Sequence, residues 1–270
     1  MSFIKTIEAS WEKKNSLLCV GLDSDLEKIP SHLLKRDKPL FEFNKDIVDA
    51  TADLVCAYKP QIAFYAASKS EDELEMTIEY IHHRYPEIPV ILDAKRGDIG
   101  STAKMYAKEV FDRYKADAVT VNPYLGFDTL TPFLERKEKG VIILCRTSNP
   151  GAKDIQDLET KGKKLYQIIA SMAVNRWNYN GNVLLVVGAT YPRELNEIRS
   201  IVGEIPFLVP GIGAQGGDVE SAIINGKNSK GTGMIINSSR GIIYASNGND
   251  FAMAARNAAI QLRDEINRYR

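Results

Sequence analysis

No wholly apolar run in this sequence is longer than about five residues, Val183–Val187 being typical, whereas a membrane-spanning helix needs roughly 20. An excess of charge is missing too. Lys plus Arg and Asp plus Glu each number 35, for a net charge of +0, which argues against a nucleic-acid tract or a basic membrane-binding face and favours a small-molecule partner. The opening stretch MSFIKTIEASWEKK reads as an amphipathic helix with charges throughout and no apolar h-region, so no signal peptide is expected. Cysteine is scarce and odd in number. Cys19, Cys56 and Cys145 each fall in an apolar run without a partner at ligand spacing, so buried free thiols and a reducing, cytoplasmic compartment are expected. Histidine is equally sparse. His32, His82 and His83 lie away from every strand end identified below; they are read as surface residues, which disfavours a histidine-based mechanism. No His/Cys/carboxylate cluster has metal spacing, so neither a metal nor an organic cofactor is expected.

What the chain does have is a recurrent pattern. Short runs rich in Val, Ile and Leu occur at Leu17–Asp23, Leu54–Pro60, Pro89–Lys95, Ala118–Pro123, Val141–Thr147, Val183–Ala189, Phe207–Gly213 and Met234–Arg240. Such continuous runs suit strands buried on both faces, as parallel sheets require. The segments between them read as helices: Glu71–Arg84 places Leu74, Ile78 and Ile81 at helical spacing, and Thr102–Tyr114 and Leu158–Trp177 behave similarly. Pro192 sits near the start of another helix, where its missing N–H matters little. Eight strands alternating with helices fit an α/β fold of the (β/α)8 TIM-barrel type, with an open doubly wound sheet as the alternative. No linker, sequence repeat or low-complexity segment interrupts the 270 residues, so residues 1–270 are read as a single domain.

Polar residues gather where these runs end. Asp23 closes the first, Lys59 the second, Asp93 with Lys95 the third, Asn122 the fourth, Thr147-Ser148 the fifth and Ser238-Ser239-Arg240 the eighth. In a parallel barrel those ends share one mouth, where such folds keep their active sites. Asp93 and Lys95, two apart, share a strand face. Asp23 or Lys59 alone could equally be a structural ion pair. Together the charges form an alternating set whose burial costs several kcal/mol per ion before pairing, at about the scale expected for desolvated charges, which favours functional use. After the seventh and eighth runs, PGIGAQGGD (210–218) and NSSRGI (237–242) supply glycine-rich turns and Arg240. They are either ordinary turns or a phosphate site of the kind barrels place there. A lysine among aspartates stays protonated and can stabilise and then protonate a carbanion, while an aspartate beside a substrate carboxylate disfavours that carboxylate. Both effects favour loss of CO2, with remote phosphate contacts holding the substrate in place.

The motifs that carry this chemistry resemble the orotidine 5′-phosphate decarboxylase family, in its longer branch. Asp93, Lys95 and Asp98 form its Asp-x-Lys-x-x-Asp signature in DAKRGDIGST; GLDSD, YKPQIAFY, TSNPG, PGIGAQGG and SSRGI follow the family's order over nearly the whole chain. The signature alone is shared with sister phosphosugar enzymes, which expect Mg2+ and usually a carboxylate where this chain has Lys59. The resemblance implies a metal-independent decarboxylation of orotidine 5′-phosphate to uridine 5′-phosphate. In it, Lys95 is the proton donor to the ring carbon that loses CO2, Asp93 crowds the substrate carboxylate, and Lys59 orients Asp93 and binds ribose together with Asp23. Ser148 contacts the pyrimidine, Gln215 and Arg240 hold the phosphate, and Asn122 joins the substrate-binding set. Asp98 and Thr102 would reach into the neighbouring subunit's site, implying a homodimer.

Overall fold

Val, Ile and Leu fill the strand runs because each strand is covered on both faces, by the barrel interior and by helices. In the computed structural model, which describes residues 1–212 and 217–270, β1 (Leu18–Leu22), β2 (Ala57–Pro60), β3 (Ile91–Arg96), β4 (Ala118–Val121), β5 (Gly140–Arg146), β6 (Val183–Val187), β7 (Phe207–Val209) and β8 (Met234–Ser238) coincide with the eight runs. β1, β2, β4, β6, β7 and β8 are buried at every residue. Their hydrogen-bonded order is β2-β1-β8-β7-β6-β5-β4-β3, with every pairing parallel. The pairing of β1 with β8 decides against an open sheet, and the parallel bridges Tyr58↔Val90 and Gln61↔Asp93 join β2 to β3. The result is a (β/α)8 barrel.

Around it lie α1 (Phe3–Lys14), α2 (Pro39–Thr51), α3 (Ile62–Ala67), α4 (Glu71–Arg84), α5 (Gly100–Lys108), α6 (Phe127–Leu134), α7 (Leu165–Met172), α8 (Pro192–Val202), α9 (Val219–Gly226) and α10 (Phe251–Tyr269). Local chemistry sets several of their ends. α4 opens on Glu71-Asp72-Glu73 and closes on His82-His83-Arg84, each charge favouring its end of the helix dipole. Pro192 takes the first turn of α8, and the Asp218 carboxylate caps α9 by accepting from the Ser221 N–H at 2.7 Å. Under the barrel, Phe3 occupies the space that a side chain at Gly140 would need.

Two helical expectations are corrected. Leu158–Trp177 is not one helix: Glu159–Thr160 and Lys163–Lys164 pair as a small antiparallel hairpin. Its turn is Lys161-Gly162, both at positive φ (53° and 70°), a conformation that glycine accepts and a helix does not. Helical structure begins only at Leu165, and a π-helical turn, Ala173–Trp177, ends it. The Thr102–Tyr114 segment starts two residues earlier, at Gly100, and likewise ends in a π-helical turn, Glu109–Arg113.

The end of the barrel where the strands begin is tied by side chains. Arg199 of α8 donates to the carbonyls of Gly226 (Nε, 2.9 Å), Ile205 (Nη1, 2.8 Å) and Gly233 (Nη2, 3.0 Å), with its guanidinium 3.8 Å from the Phe207 ring centre. Replacing it by methionine keeps the stem and removes the donors. Arg199→Met is therefore expected to lower the unfolding free energy by about 2–3 kcal/mol, read from denaturant melts. Turnover per folded molecule should not change, since this end is remote from the mouth.

Candidate active site

The ends of the strands open into a cavity of about 1000 Å³, lined by Asp23, Lys59, Asp93, Lys95, Asn122, Ser148 and Arg240 among others. Lys59 reaches it from the penultimate position of β2 and is 3% exposed; Asp93, from β3, is 8% exposed. The Asp93 carboxylate is shared. Its Oδ2 accepts from Lys59 Nζ at 3.2 Å, and its Oδ1 accepts from Lys95 Nζ at 2.7 Å and from the Thr120 hydroxyl at 2.8 Å. Lys59 Nζ also lies 3.7 Å from Asp23 Oδ1, which is buried and accepts no hydrogen bond. Asp23, Lys59, Asp93 and Lys95 thus form one alternating row.

Burial opposes ionisation of Asp93, but Lys59, Lys95 and the bonds from Lys95 and Thr120 outweigh it and hold the carboxyl well below the usual carboxylate range. Burial also works against the Lys59 charge; Asp93 and Asp23 prevail and raise its pKa above the usual lysine range. The inner pair is therefore fixed as Lys59 ammonium and Asp93 carboxylate at neutral pH, and Lys95 donates a hydrogen bond to the same carboxylate.

The opposite rim is assembled from β5, β6 and β8. Ser148 lies against Gly188, where an added Cβ would stand 2.8 Å from the Ser148 Cα, so glycine allows that close approach. Gln156 accepts from the Thr147 N–H at 2.9 Å and donates to the Thr147 hydroxyl at 2.8 Å, steadying the segment that carries Ser148. Arg240 is exposed at the mouth and begins the helical turn Arg240–Ile243, whose first amide groups have no acceptor within the turn. Gly217 donates to the Gly211 carbonyl at 3.0 Å, closing the stem of the loop after β7. Gln215 lies outside the described residues.

A family model described as "Orotidine 5'-phosphate decarboxylase / HUMPS family" matches residues 16–255. The orotidine 5′-phosphate decarboxylase of Cupriavidus metallidurans is 58% identical over 270 residues, covering 100% of this chain and 99% of that protein. Among solved structures, Leishmania donovani OMP decarboxylase superposes with a TM-score of 0.85 at 37% identity, covering 100% of this chain and 98% of the other. Leishmania donovani UMP synthase gives a TM-score of 0.89 at 40% identity; this chain is covered completely but spans only 56% of that longer one. The chain belongs to the orotidine 5′-phosphate decarboxylase / HUMPS family.

Within this family chain, the Asp-x-Lys-x-x-Asp signature divides between two environments. Asp93 and Lys95 meet in the cavity, whereas Asp98 and Thr102 do not line it. Asp98, half-buried, accepts from the adjacent Ile99 N–H at 2.7 Å, and Thr102 is exposed on α5. Asn122 lines the cavity, with its Oδ1 engaged by the Tyr124 N–H at 3.0 Å. The regular strand face assumed for Asp93 and Lys95 is replaced by a bulge in which Lys95 adopts φ 46°; the two side chains meet all the same.

Thr120, Asn237 and Gln61 are among the lining residues that the sequence reading does not single out. Thr120 stands two before Asn122 on one strand face, the same spacing that drew attention to Asp93 and Lys95. Asn237 precedes the SSRGI motif and holds a buried Oδ1 with no partner, and Gln61 follows Lys59 by two. The cysteines are buried as expected, and burial pushes the Cys19 thiol up to about 12, which disqualifies it as a nucleophile at neutral pH. His32 and His83 are at the surface, but His82 is half-buried and bonded to Asp117 at 2.8 Å, fastening α4 to the start of β4. No group of three or more potential metal ligands occurs among the described residues.

The depressed Asp93 pKa favours the folded state above the ordinary unfolded value and is lost as pH falls towards the folded one; the raised Lys59 pKa favours it until pH rises past the unfolded lysine value. The difference in unfolding free energy between wild type and Asp93→Asn should accordingly be constant from about pH 5 to 9 and shrink below about pH 4. Denaturant melts across that range check it; a change centred near neutrality would contradict the fixed-charge cluster.

Proposed function

We propose that this chain decarboxylates orotidine 5′-phosphate to uridine 5′-phosphate, without metal or organic cofactor, as a cytoplasmic homodimer of single-domain subunits. The observation that carries the reading is the Asp93 carboxylate held ionised between two ammonium groups at the barrel mouth. The chemistry follows from that arrangement. A substrate carboxylate brought against Asp93 is electrostatically disfavoured, and the pyrimidine ring after loss of CO2 is not. As the bond to CO2 breaks, its electron pair stays on the ring carbon, beside the Lys95 ammonium. Lys95 then gives that carbon a proton and regains one from solvent.

The remaining residues supply the binding energy that offsets the repulsion. Asp23 and Lys59 serve the ribose hydroxyls, with the unpartnered Asp23 Oδ1 and the Lys59 protons not given to Asp93 as natural partners. Ser148 meets the pyrimidine, Asn122 borders it, and Arg240 with Gln215 takes the phosphate. An exposed guanidinium and open amide groups suit that dianion.

Dimerisation is supported by the exposed apolar residues Ile99, Met105, Tyr124, Leu125 and Phe127, which sit on the segments after the adjacent strands β3 and β4. Asp98 and Thr102 lie in the same region, outside the lining of their own cavity, where a second subunit would receive them. Among the described residues no helix is long and apolar enough to cross a membrane, and the three unpaired buried thiols fit a reducing compartment.

The first test is the ultraviolet absorbance of orotidine 5′-phosphate mixed with EDTA-treated protein. Wild type should consume it, and Lys95→Ala should be slower by about 100-fold or more. No consumption, with turnover of a phosphorylated sugar once Mg2+ is restored, would overturn the reading. Asp98→Asn should lower turnover far more than folding stability. Subunits carrying Asp98→Asn and Lys95→Ala, each nearly inactive alone, should regain activity when mixed and allowed to exchange. Only a shared site leaves one intact centre in the hybrid; no recovery despite proven exchange would place Asp98 in its own subunit's site.

A further inference from the structure

The ladder between β3 and β4 runs in register at Ile91↔Ala118 and Leu92↔Val119 and resumes at Arg96↔Val121. Between those points Asp93, Ala94 and Lys95 stand opposite a single residue, Thr120. Two additional residues must therefore be accommodated on β3, and the backbone does so by leaving the extended conformation, with Lys95 at φ 46°. A left-handed lysine holds its conformation only where its surroundings impose it. Here the surroundings are one hydroxyl. Thr120 Oγ1 accepts from the Ala94 N–H at 3.0 Å and from the Lys95 N–H at 2.9 Å, and donates to Asp93 Oδ1 at 2.8 Å. A hydroxyl has one proton and two lone pairs, so each is used. Thr120 is 1% exposed and lies beneath the charges, where it lines the floor of the cavity.

We propose that Thr120 is a positioning residue: its hydroxyl replaces the missing rungs of the ladder and so sets both the carboxylate of Asp93 and the backbone that aims Lys95. The proposal rests on the decarboxylase reading above and adds a residue to it. Thr120 touches no reacting atom. It acts by deciding where the ammonium stands relative to the carboxylate, the one distance on which both the repulsion and the proton delivery rely. A displacement of that kind lowers the rate of the bound complex and leaves ribose and phosphate contacts as they were.

Thr120→Val keeps the β-branched shape and removes the hydroxyl; Thr120→Ser keeps the hydroxyl. In the valine variant kcat for orotidine 5′-phosphate should fall about 10- to 100-fold, the loss expected for a hydrogen bond to a charged group. The dissociation constant of uridine 5′-phosphate should move less than about threefold, and serine should recover most of kcat. Amide exchange gives a readout independent of turnover: Ala94 and Lys95 should exchange faster in Thr120→Val than in wild type or Thr120→Ser. If the valine variant does not fold, Thr120→Cys, whose thiol is a weak donor and acceptor, is read in the same way.

Unchanged kcat in Thr120→Val overturns the proposal, as does a parallel loss of kcat and nucleotide affinity that serine does not restore. Wild-type protein that fails to decarboxylate refutes the functional reading instead. In that event the exchange of Ala94 and Lys95 still decides whether Thr120 holds the bulge.

Discussion

One carboxylate organises the mouth of this barrel. Asp93 is nearly buried, and its two oxygens are divided among Lys59, Lys95 and Thr120, so three adjacent strands meet on a single functional group. A buried carboxylate with fewer donors would lower its energy by taking up a proton. With two ammonium groups and a hydroxyl in place it stays charged, and its field persists when an anionic substrate arrives. The lysines are equally bound to it: Lys59, 3% exposed, keeps its proton only because carboxylates lie beside it. Neither sign of charge is tolerable there without the other.

The two ends of the barrel divide the work. Where the strands begin, polar side chains close gaps in the backbone: Arg199 gathers carbonyls from three segments, Asn182 donates to the carbonyls of Leu134 and Lys139 at 3.1 and 3.2 Å, and His82 pairs with Asp117. Where the strands end, polar groups are left partly unsatisfied, as at Asp23 Oδ1 and Asn237 Oδ1. The unfilled hydrogen-bonding capacity of Asp23 and Asn237 faces the cavity, where a ligand can use it.

Much of this was legible in the sequence because burial on both faces leaves an unmistakable mark. Eight runs of Val, Ile and Leu mark the strands, and charged residues at the ends of such runs are expensive enough to demand a reason; Asp23, Lys59, Asp93 and Lys95 stand out on that ground as a set, though Asp23 or Lys59 singly would not. Less legible were features that depend on residues meeting across the fold. Thr120 sits in AVTVNP as an ordinary strand residue, since threonine suits a strand with or without a role for its hydroxyl. The hairpin at Glu159–Lys164 was read through as helix because Lys and Glu are good helix formers, and the single Gly162 was too weak a break against the apolar pattern on either side. The bulge at Lys95 had no mark in composition, because its cause lies on the neighbouring strand.

The way the cylinder is joined has a consequence of its own. Seven of its junctions are ladders of two or more residue pairs, two of them with a bulge, but among the described residues β2 meets β3 through two isolated bridges, Tyr58↔Val90 and Gln61↔Asp93. Lys59 and Asp93 span that same junction. The Lys59–Asp93 ion pair is therefore also a rivet across the least stitched seam of the wall, so the charges at the mouth and the closure of the cylinder depend on the same atoms. Relocating this pair would mean joining the wall anew.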